Sequence, residues 1–426
     1  MASVRQLTKP NREGKRPWVV EYTDSTGKRR RETPPSGLKK DADRLRQKIE
    51  RELDDKTHVA ATDTLSLKAA YDIYFEDCLR RQKIGDLSGN TVHGIKYLMG
   101  LILPSLGSKR LTEVSIEVLQ AQFDKLSATY SATSLKDLRS VVRTFLRFAV
   151  RRKYIKRNVL VDDNVRLPKG KSTKPPMPTK DEIAAILGAI ERRHPTEHFQ
   201  GFHARRVVVL LALFCGLRRG EIAGLQWHNV DFAKSVVRVR NSFSQYDGLK
   251  GPKTDAGERD VPMPPIVCDA LMKLIAYWQL QMKFDADPRN REYKKRIYRE
   301  DFMTPPPVEG DVRPCGYVVT TRDGQPVQLK NMSMDFVGHV MMKAGIPSEA
   351  RNRLGLHSLR HAFVSLLIED GIAPLSLMKL VGHASLTTTY NVYAHLFPRE
   401  DAERTAVERI ASGFNATRTR QIELSA

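Results

Sequence analysis

The chain has 426 residues, 41% of them hydrophobic, which is long enough for two or three domains with real cores. Its 71 Lys and Arg against 49 Asp and Glu leave a formal charge of +22; such an excess calls for a polyanionic partner, nucleic acid first among them. The longest unbroken apolar run, Val207 to Cys215, has nine residues, far below the ~20 that cross a bilayer, so no membrane role is expected.

The basic residues run through domain-like sequence and do not flank an apolar anchor, which speaks against a lipid surface. The opening Met1-Ala2-Ser3-Val4-Arg5-Gln6 lacks the apolar core of a signal peptide, so the expected location is cytoplasmic. Cys78, Cys215, Cys268 and Cys315 show no Cys-x-x-Cys spacing. Neither a zinc site nor a disulfide framework is expected, and reduced thiols fit a reducing compartment.

In chain order, residues 17–33 read as two short strands around Asp24-Ser25-Thr26-Gly27, the second beginning with Lys28, Arg29, Arg30 and Arg31. Leu38, Ala42, Leu45, Ile49 and Leu53 then recur at helical spacing, giving an amphipathic helix that ends near Asp55. A sheet backed by one helix can serve as a small DNA-gripping unit, and a solvated charge run is an equal reading of these residues. From Thr64 to about Leu160 the periodicity predicts helices over 66–82, 91–103, 115–127 and 134–154, with a break at Pro104-Ser105-Leu106-Gly107. In the last of these, Leu138, Val142, Phe145 and Ala149 form an apolar stripe, and Lys136, Arg139, Arg143, Arg147 and Arg151 form a cationic one.

Between Ser134 and Pro178 the sequence holds 13 Lys and Arg against three Asp, a net of +10. A merely solvated helix face mixes both signs, because like charges four apart repel, so phosphate contact is the better reading. Lys169, Lys171 and Lys174 continue the basic run through an extended Pro- and Gly-containing linker. Beyond Pro178 a larger mixed segment begins with a capped helix start at Thr179-Lys180-Asp181-Glu182. It continues with a buried helix over 203–215, strands over 235–242 and 259–263, and helices over 266–283, 329–344, 358–370 and 385–396. Residues 284–313 carry Asp-Pro, five Arg and Lys between Arg289 and Arg296, and a triple proline; a solvated loop is expected there ahead of an extra DNA contact.

Five short elements carry the chemistry: Gly216-Leu217-Arg218-Arg219-Gly220-Glu221, Pro252-Lys253-Thr254, His357-Ser358-Leu359-Arg360-His361, Gly382-His383 and Tyr393. His357 and Arg360 stand three apart, so one helical face can carry both toward one phosphate. In this order the five resemble the tyrosine recombinases of the phage-integrase type, whose layout covers about residues 64–412, with the specific motifs between Gly216 and His395. The resemblance implies a multidomain chain. Residues 1–60 would be a β-sheet-plus-helix domain on accessory "arm" DNA, 64–167 an all-α core-binding domain and 168–178 the basic linker. Residues 179–412 would be a mixed α+β catalytic domain, mainly helical with a small antiparallel sheet, and 413–426 a tail.

It also implies roles. Arg218 and Arg360 neutralise the nonbridging phosphate oxygens with guanidinium forks, and Tyr393 is the nucleophile, a phenol that needs an acceptor and a cationic field. His357 and His383 supply that surrounding, Lys253 protonates the leaving oxygen, and Glu221 orients the site through hydrogen bonds. Tyr390 is read as packing, and His361 and His395 as structural. The implied partners are double-stranded DNA attachment sites, a homotetramer on two duplexes, an excisionase and a host DNA-bending protein. Residues after Pro398 would dock on a neighbouring subunit. Cleavage would pass through a 3′-phosphotyrosyl intermediate with no metal or nucleotide cofactor, since no ligand-spaced cluster and no Walker loop is present. Two other readings are a type IB topoisomerase, which relaxes DNA without joining two sites, and a catalytically silent DNA-binding regulator.

Overall fold

The computed structural model describes residues 2–10, 14–24, 27–54, 65–161, 164–169, 176–193, 199–252, 255–286, 316–321 and 324–393. Lys253, Lys171, Lys174, His395, the tail and all but the start of the 284–313 segment lie outside these residues. The chain divides into two compact units, Met1–Ser172 and Thr173–Ala426.

The first unit opens with a three-stranded antiparallel meander, β1 (Ser3–Gln6), β2 (Trp18–Thr23) and β3 (Arg29–Glu32), followed by helix α1 (Lys39–Asp54). Side chains alternate across a strand. Val20 and Tyr22 therefore meet Ala42 and Ile49 of α1 in one apolar cluster. Glu21, on the opposite face, stands between Ser3 and Arg31 in register and accepts from both Arg5 and Arg31. Leu38, expected in the apolar stripe, precedes the helix and is exposed.

Next come α2 (Leu67–Lys83), α3 (Gly89–Gly100), α4 (Leu103–Leu106), α5 (Ile116–Ser127) and α6 (Ala132–Arg151). Ser66, Ser88, Ser115 and Ser131 cap four of them, each hydroxyl accepting from the backbone N–H three residues on. Each such cap stabilises its helix by about 1 kcal/mol. Pro104 does not simply interrupt the chain; it sits in the first turn of the short α4, where its missing N–H costs nothing. Tyr74 lies against Phe145 and Phe148 of α6 at ring distances of 5.6 and 5.2 Å, within a separate cluster that includes Leu67, Leu119, Leu138 and Val142.

The second unit begins at α7 (Lys180–Glu191), where Thr179 and Glu182 form a reciprocal capping box. Helix α8 (Phe199–Phe214) is apolar on most sides and packs on α10 (Pro265–Ala286) and α13 (Leu356–Glu369). Around it stand α9 (Arg219–Ala223), α11 (Leu329–Asp335), α12 (Ser348–Arg353), α14 (Pro374–Val381) and α15 (Leu386–Tyr393). The strands are β4 (Val230–Asp231), β5 (Val236–Val239), β6 (Ser242–Ser244), β7 (Gly248–Lys250) and β8 (Arg259–Pro262). They make an antiparallel β4-β5-β8 sheet and a β6-β7 hairpin. The single strand expected over 235–242 is thus two, and the helix expected over 329–344 passes from α11 into a π-helical turn at Phe336–Met341. Among the described residues no helix is long and apolar enough to cross a membrane.

Candidate active site

The Gly216–Glu221 motif is a sharp turn between two helices. Gly216 takes a left-handed φ of +59°, and a Cβ there would lie 2.3 Å from the Phe363 ring of α13, so only glycine lets α8 end this close to α13. Arg218 then occupies the N-cap position of α9, with an extended backbone. Its amide and its Nη1 both donate to the Glu221 carboxylate, at 2.8 Å each.

Glu221 also receives a two-pronged donation from Arg259 of β8, Nη1 at 3.0 Å and Nη2 at 2.8 Å. Side-chain exposure is 7% for Glu221 and 5% for Arg259. Burial alone would raise the carboxyl pKa, but the hydrogen bonds and charge of Arg259, followed by the charges of Arg218 and Arg360, outweigh it and hold Glu221 at about 2. The carboxylate is therefore a fixed anchor for two arginines and a poor base.

The end of α14 is where the motifs meet. Gly382 caps it in the left-handed region, at φ +68°, with space for a Cβ closed by Arg259 Nη1 at 2.9 Å. Three successive carbonyls at this terminus are each taken by a different arginine. Arg259 Nε donates to Leu380 O at 2.8 Å, Arg360 Nη2 to Val381 O at 2.6 Å, and Arg218 Nη2 to Gly382 O at 3.0 Å. A helix C-terminus leaves its last carbonyls unpaired and carries partial negative charge, so it holds cations in place. Arg360 is anchored a second time through Nη1 to the carbonyl of Gly216. It is 3% exposed, and burial followed by the nearby Arg218 pulls its pKa down to about 9, which leaves it charged at neutral pH. Arg218 keeps 38% of its side chain exposed. With five donors per guanidinium, both arginines retain N–H groups beyond those committed to the protein.

His383 follows the cap directly and is half-buried; burial, then Arg360 and Arg218, lower its pKa to about 4. On α13, His357 stands exposed at the rim, and partial burial with the charges of His361, Arg360 and Arg218 moves its pKa below the usual imidazole range. His361 lies one turn further, its ring centroid 4.8 Å from that of His357. Its Nδ1 is hydrogen-bonded to the Tyr393 hydroxyl, with the two ring centroids 5.8 Å apart. Tyr393 is 3% exposed, and burial raises its pKa to about 12 despite Arg360 nearby.

Arg218, Glu221, His357, Arg360, His383 and Tyr393 thus come together within one unit, while Lys253 lies outside the described residues, between β7 and β8. Two residues at this centre carry no role in the sequence reading. Arg259 appeared there only as the start of a strand, and its partnership with Glu221 spans 38 positions. His361 was read as structural, yet it touches the Tyr393 hydroxyl; its i, i+4 spacing from His357 was the available signal. Tyr390, read as packing, is 41% exposed, whereas Tyr393 is buried. Among the described residues no group of three His, Cys, Asp or Glu stands close enough to hold a metal ion.

The basic stripes divide by periodicity. Lys28, Arg29 and Arg31 are exposed, while Arg30 turns inward to Asp24 at 2.7 Å. On α6, Lys136, Arg147 and Arg151 are exposed; Arg139 and Arg143 are half-buried, and Arg139 Nη1 donates to Val165 O at 3.2 Å. Lys169 is exposed at the end of this unit.

The Phage integrase family profile matches residues 178–400. A tyrosine recombinase XerC-like protein of Caldanaerobacter subterraneus subsp. tengcongensis is 26% identical over 309 residues, 70% of each chain. The ICEBs1 integrase of Bacillus subtilis is 24% identical over 399 residues, covering 89% of this chain and 92% of its own. Among solved structures, the Tn1549 transposon integrase in complex with transposon right end DNA superposes with a TM-score of 0.59 at 20% identity, covering 82% of this chain and all of that one. That likeness is one of fold.

Proposed function

The chain belongs to the phage integrase family and is a tyrosine site-specific recombinase of a mobile element, and on that premise we propose that it cuts and rejoins duplex DNA at paired attachment sites through a covalent bond to Tyr393. The observation that carries this reading is the end of α14, where Arg218, Arg259 and Arg360, from three distant segments, are fixed on consecutive carbonyls. A phosphodiester resists attack because its oxygens are anionic, so donors already in place lower the barrier without reorganising during the reaction. Arg218 and Arg360 bind the scissile phosphate through their remaining N–H groups, and His383 adds a neutral donor. Tyr393 attacks phosphorus, the 5′ oxygen leaves with a proton from Lys253, and a 3′-phosphotyrosyl bond conserves the energy for religation. Glu221 and Arg259 act through Arg218 and the α14 terminus as positioning residues.

In the same reading residues 1–60 bind accessory sites, 64–167 grip the core site with the exposed face of α6, and 168–178 link them to the catalytic residues 179–412. The working assembly is a homotetramer on two duplexes, with an excisionase and a host DNA-bending protein setting direction, in the cytoplasm and without a metal or nucleotide cofactor. The test is a supercoiled plasmid carrying the two junction sequences that flank the element. Resolution into two circles only when both sites are present supports the proposal; relaxation without any site would favour a type IB topoisomerase. Binding without a covalent adduct would leave a DNA-binding regulator.

A further inference from the structure

We propose that His361 is a catalytic residue of this chain: its Nδ1 holds the Tyr393 hydroxyl and accepts the phenolic proton as the tyrosine oxygen bonds to phosphorus. This rests on Tyr393 being the nucleophile. The tyrosine is 3% exposed, so bulk water is poorly placed to take its proton, and the hydroxyl is already hydrogen-bonded to His361. Glu221, the buried carboxylate of the site, is occupied by Arg218 and Arg259 and is too acidic to serve.

The groups facing His361 are His357 and Arg360 on its own helix, Tyr393 on α15 and His383 beyond α14. Burial and then Arg360 lower its pKa, which keeps the ring neutral near pH 7 and Nδ1 free to accept. With the phenol at about 12, transfer in the resting enzyme is strongly uphill, so the contact stores a neutral tyrosine and no free phenolate accumulates. Transfer becomes favourable only as the Tyr393 oxygen–phosphorus bond forms and the oxygen becomes acidic. In that step the phosphorus–O5′ bond breaks, the phenolic proton moves to His361 Nδ1, and the leaving 5′ oxygen takes a proton from the general acid, so protons balance. The resulting imidazolium sits beside Arg360 and is pressed to return its proton, which drives religation, when Tyr393 becomes the leaving group.

The experiment is single-turnover cleavage of a nicked suicide substrate by the full chain, with DNA binding and circular dichroism as controls. We expect His361→Gln to bind DNA normally but to form the adduct at least about 100-fold more slowly. The wild-type rate should fall on acidification below pH 6.5, and this acid limb should vanish in His361→Gln. A substrate with sulfur as the 5′-bridging atom should rescue Lys253→Ala but not His361→Gln, because the two residues handle different protons. A His361→Gln rate within threefold of the wild type, an unchanged acid limb, or rescue by sulfur would overturn the proposal while leaving Tyr393 as nucleophile. An adduct formed by Tyr393→Phe would overturn both.

Discussion

Replacing Glu221 by Gln tests whether the arginine trio is held by one buried carboxylate. Gln keeps the shape but loses the charge and one of its two oxygen acceptors, leaving Arg259, 5% exposed, as a buried cation without its counter-charge. Breaking a buried pair from one side costs about 3–5 kcal/mol. A second route gives a similar size: moving a carboxyl pKa from 4.5 to about 2 on folding corresponds to about 3 kcal/mol of stability at neutral pH. Because the folded pKa is the lower one, this contribution is fully present above pH 4.5 and is lost as pH falls toward 2. Urea unfolding in a Trp18→Phe background reads it, since Trp227 and Trp278 both lie in the second unit. The gap between wild type and Glu221→Gln should be about 3 kcal/mol at pH 7 and should narrow on acidification below 4.5. A gap under about 1 kcal/mol, or one that does not change with pH, would refute the idea that the carboxylate anchors the site.

Gly216→Ala should lower the thermal midpoint of the second unit, by about 2 kcal/mol or more in stability, from left-handed strain together with the clash on Phe363; Phe363→Leu should recover part of the loss in a thermal melt, and a melt equal to wild type would contradict the packing argument. Neutralising Arg143, Arg147 and Arg151 should weaken core-site binding and flatten its salt dependence by up to ~0.9 per lost phosphate contact, whereas Arg139→Gln should mainly cost stability through Val165 O. Deleting residues 1–60 should leave core-site cleavage intact and abolish binding to distant accessory sites; equal loss of core binding in the two variants would place the N-terminal segment in the core clamp.

Helices with strong apolar stripes and Ser caps were legible because their signals are local: α2, α5 and α6 begin within two residues of the expected points. Short elements such as α9, α14 and β7 carry too few residues for a period, and their stability comes from tertiary partners instead. The motif residues were legible, but not the contacts that hold them together. No spacing announces that the carbonyls of Leu380, Val381 and Gly382 receive three arginines from 218, 259 and 360, since those contacts span 21 to 164 positions. The contact between His361 and Tyr393 was hidden for a related reason: it spans 32 positions, and a histidine on a helix with an apolar face is more often core than chemistry. Arg30 and Arg139 likewise look equivalent to their neighbours in composition and differ only in which way the strand or helix turns them.

The most direct measurement is to trap the covalent complex on a nicked suicide substrate, digest it and locate the nucleotide-bearing peptide by mass spectrometry. A single 3′-phosphotyrosyl bond is expected at Tyr393, lost in Tyr393→Phe and retained in Tyr390→Phe. A nucleotide found on Tyr390 or on another residue, or cleavage without any covalent adduct, would contradict it.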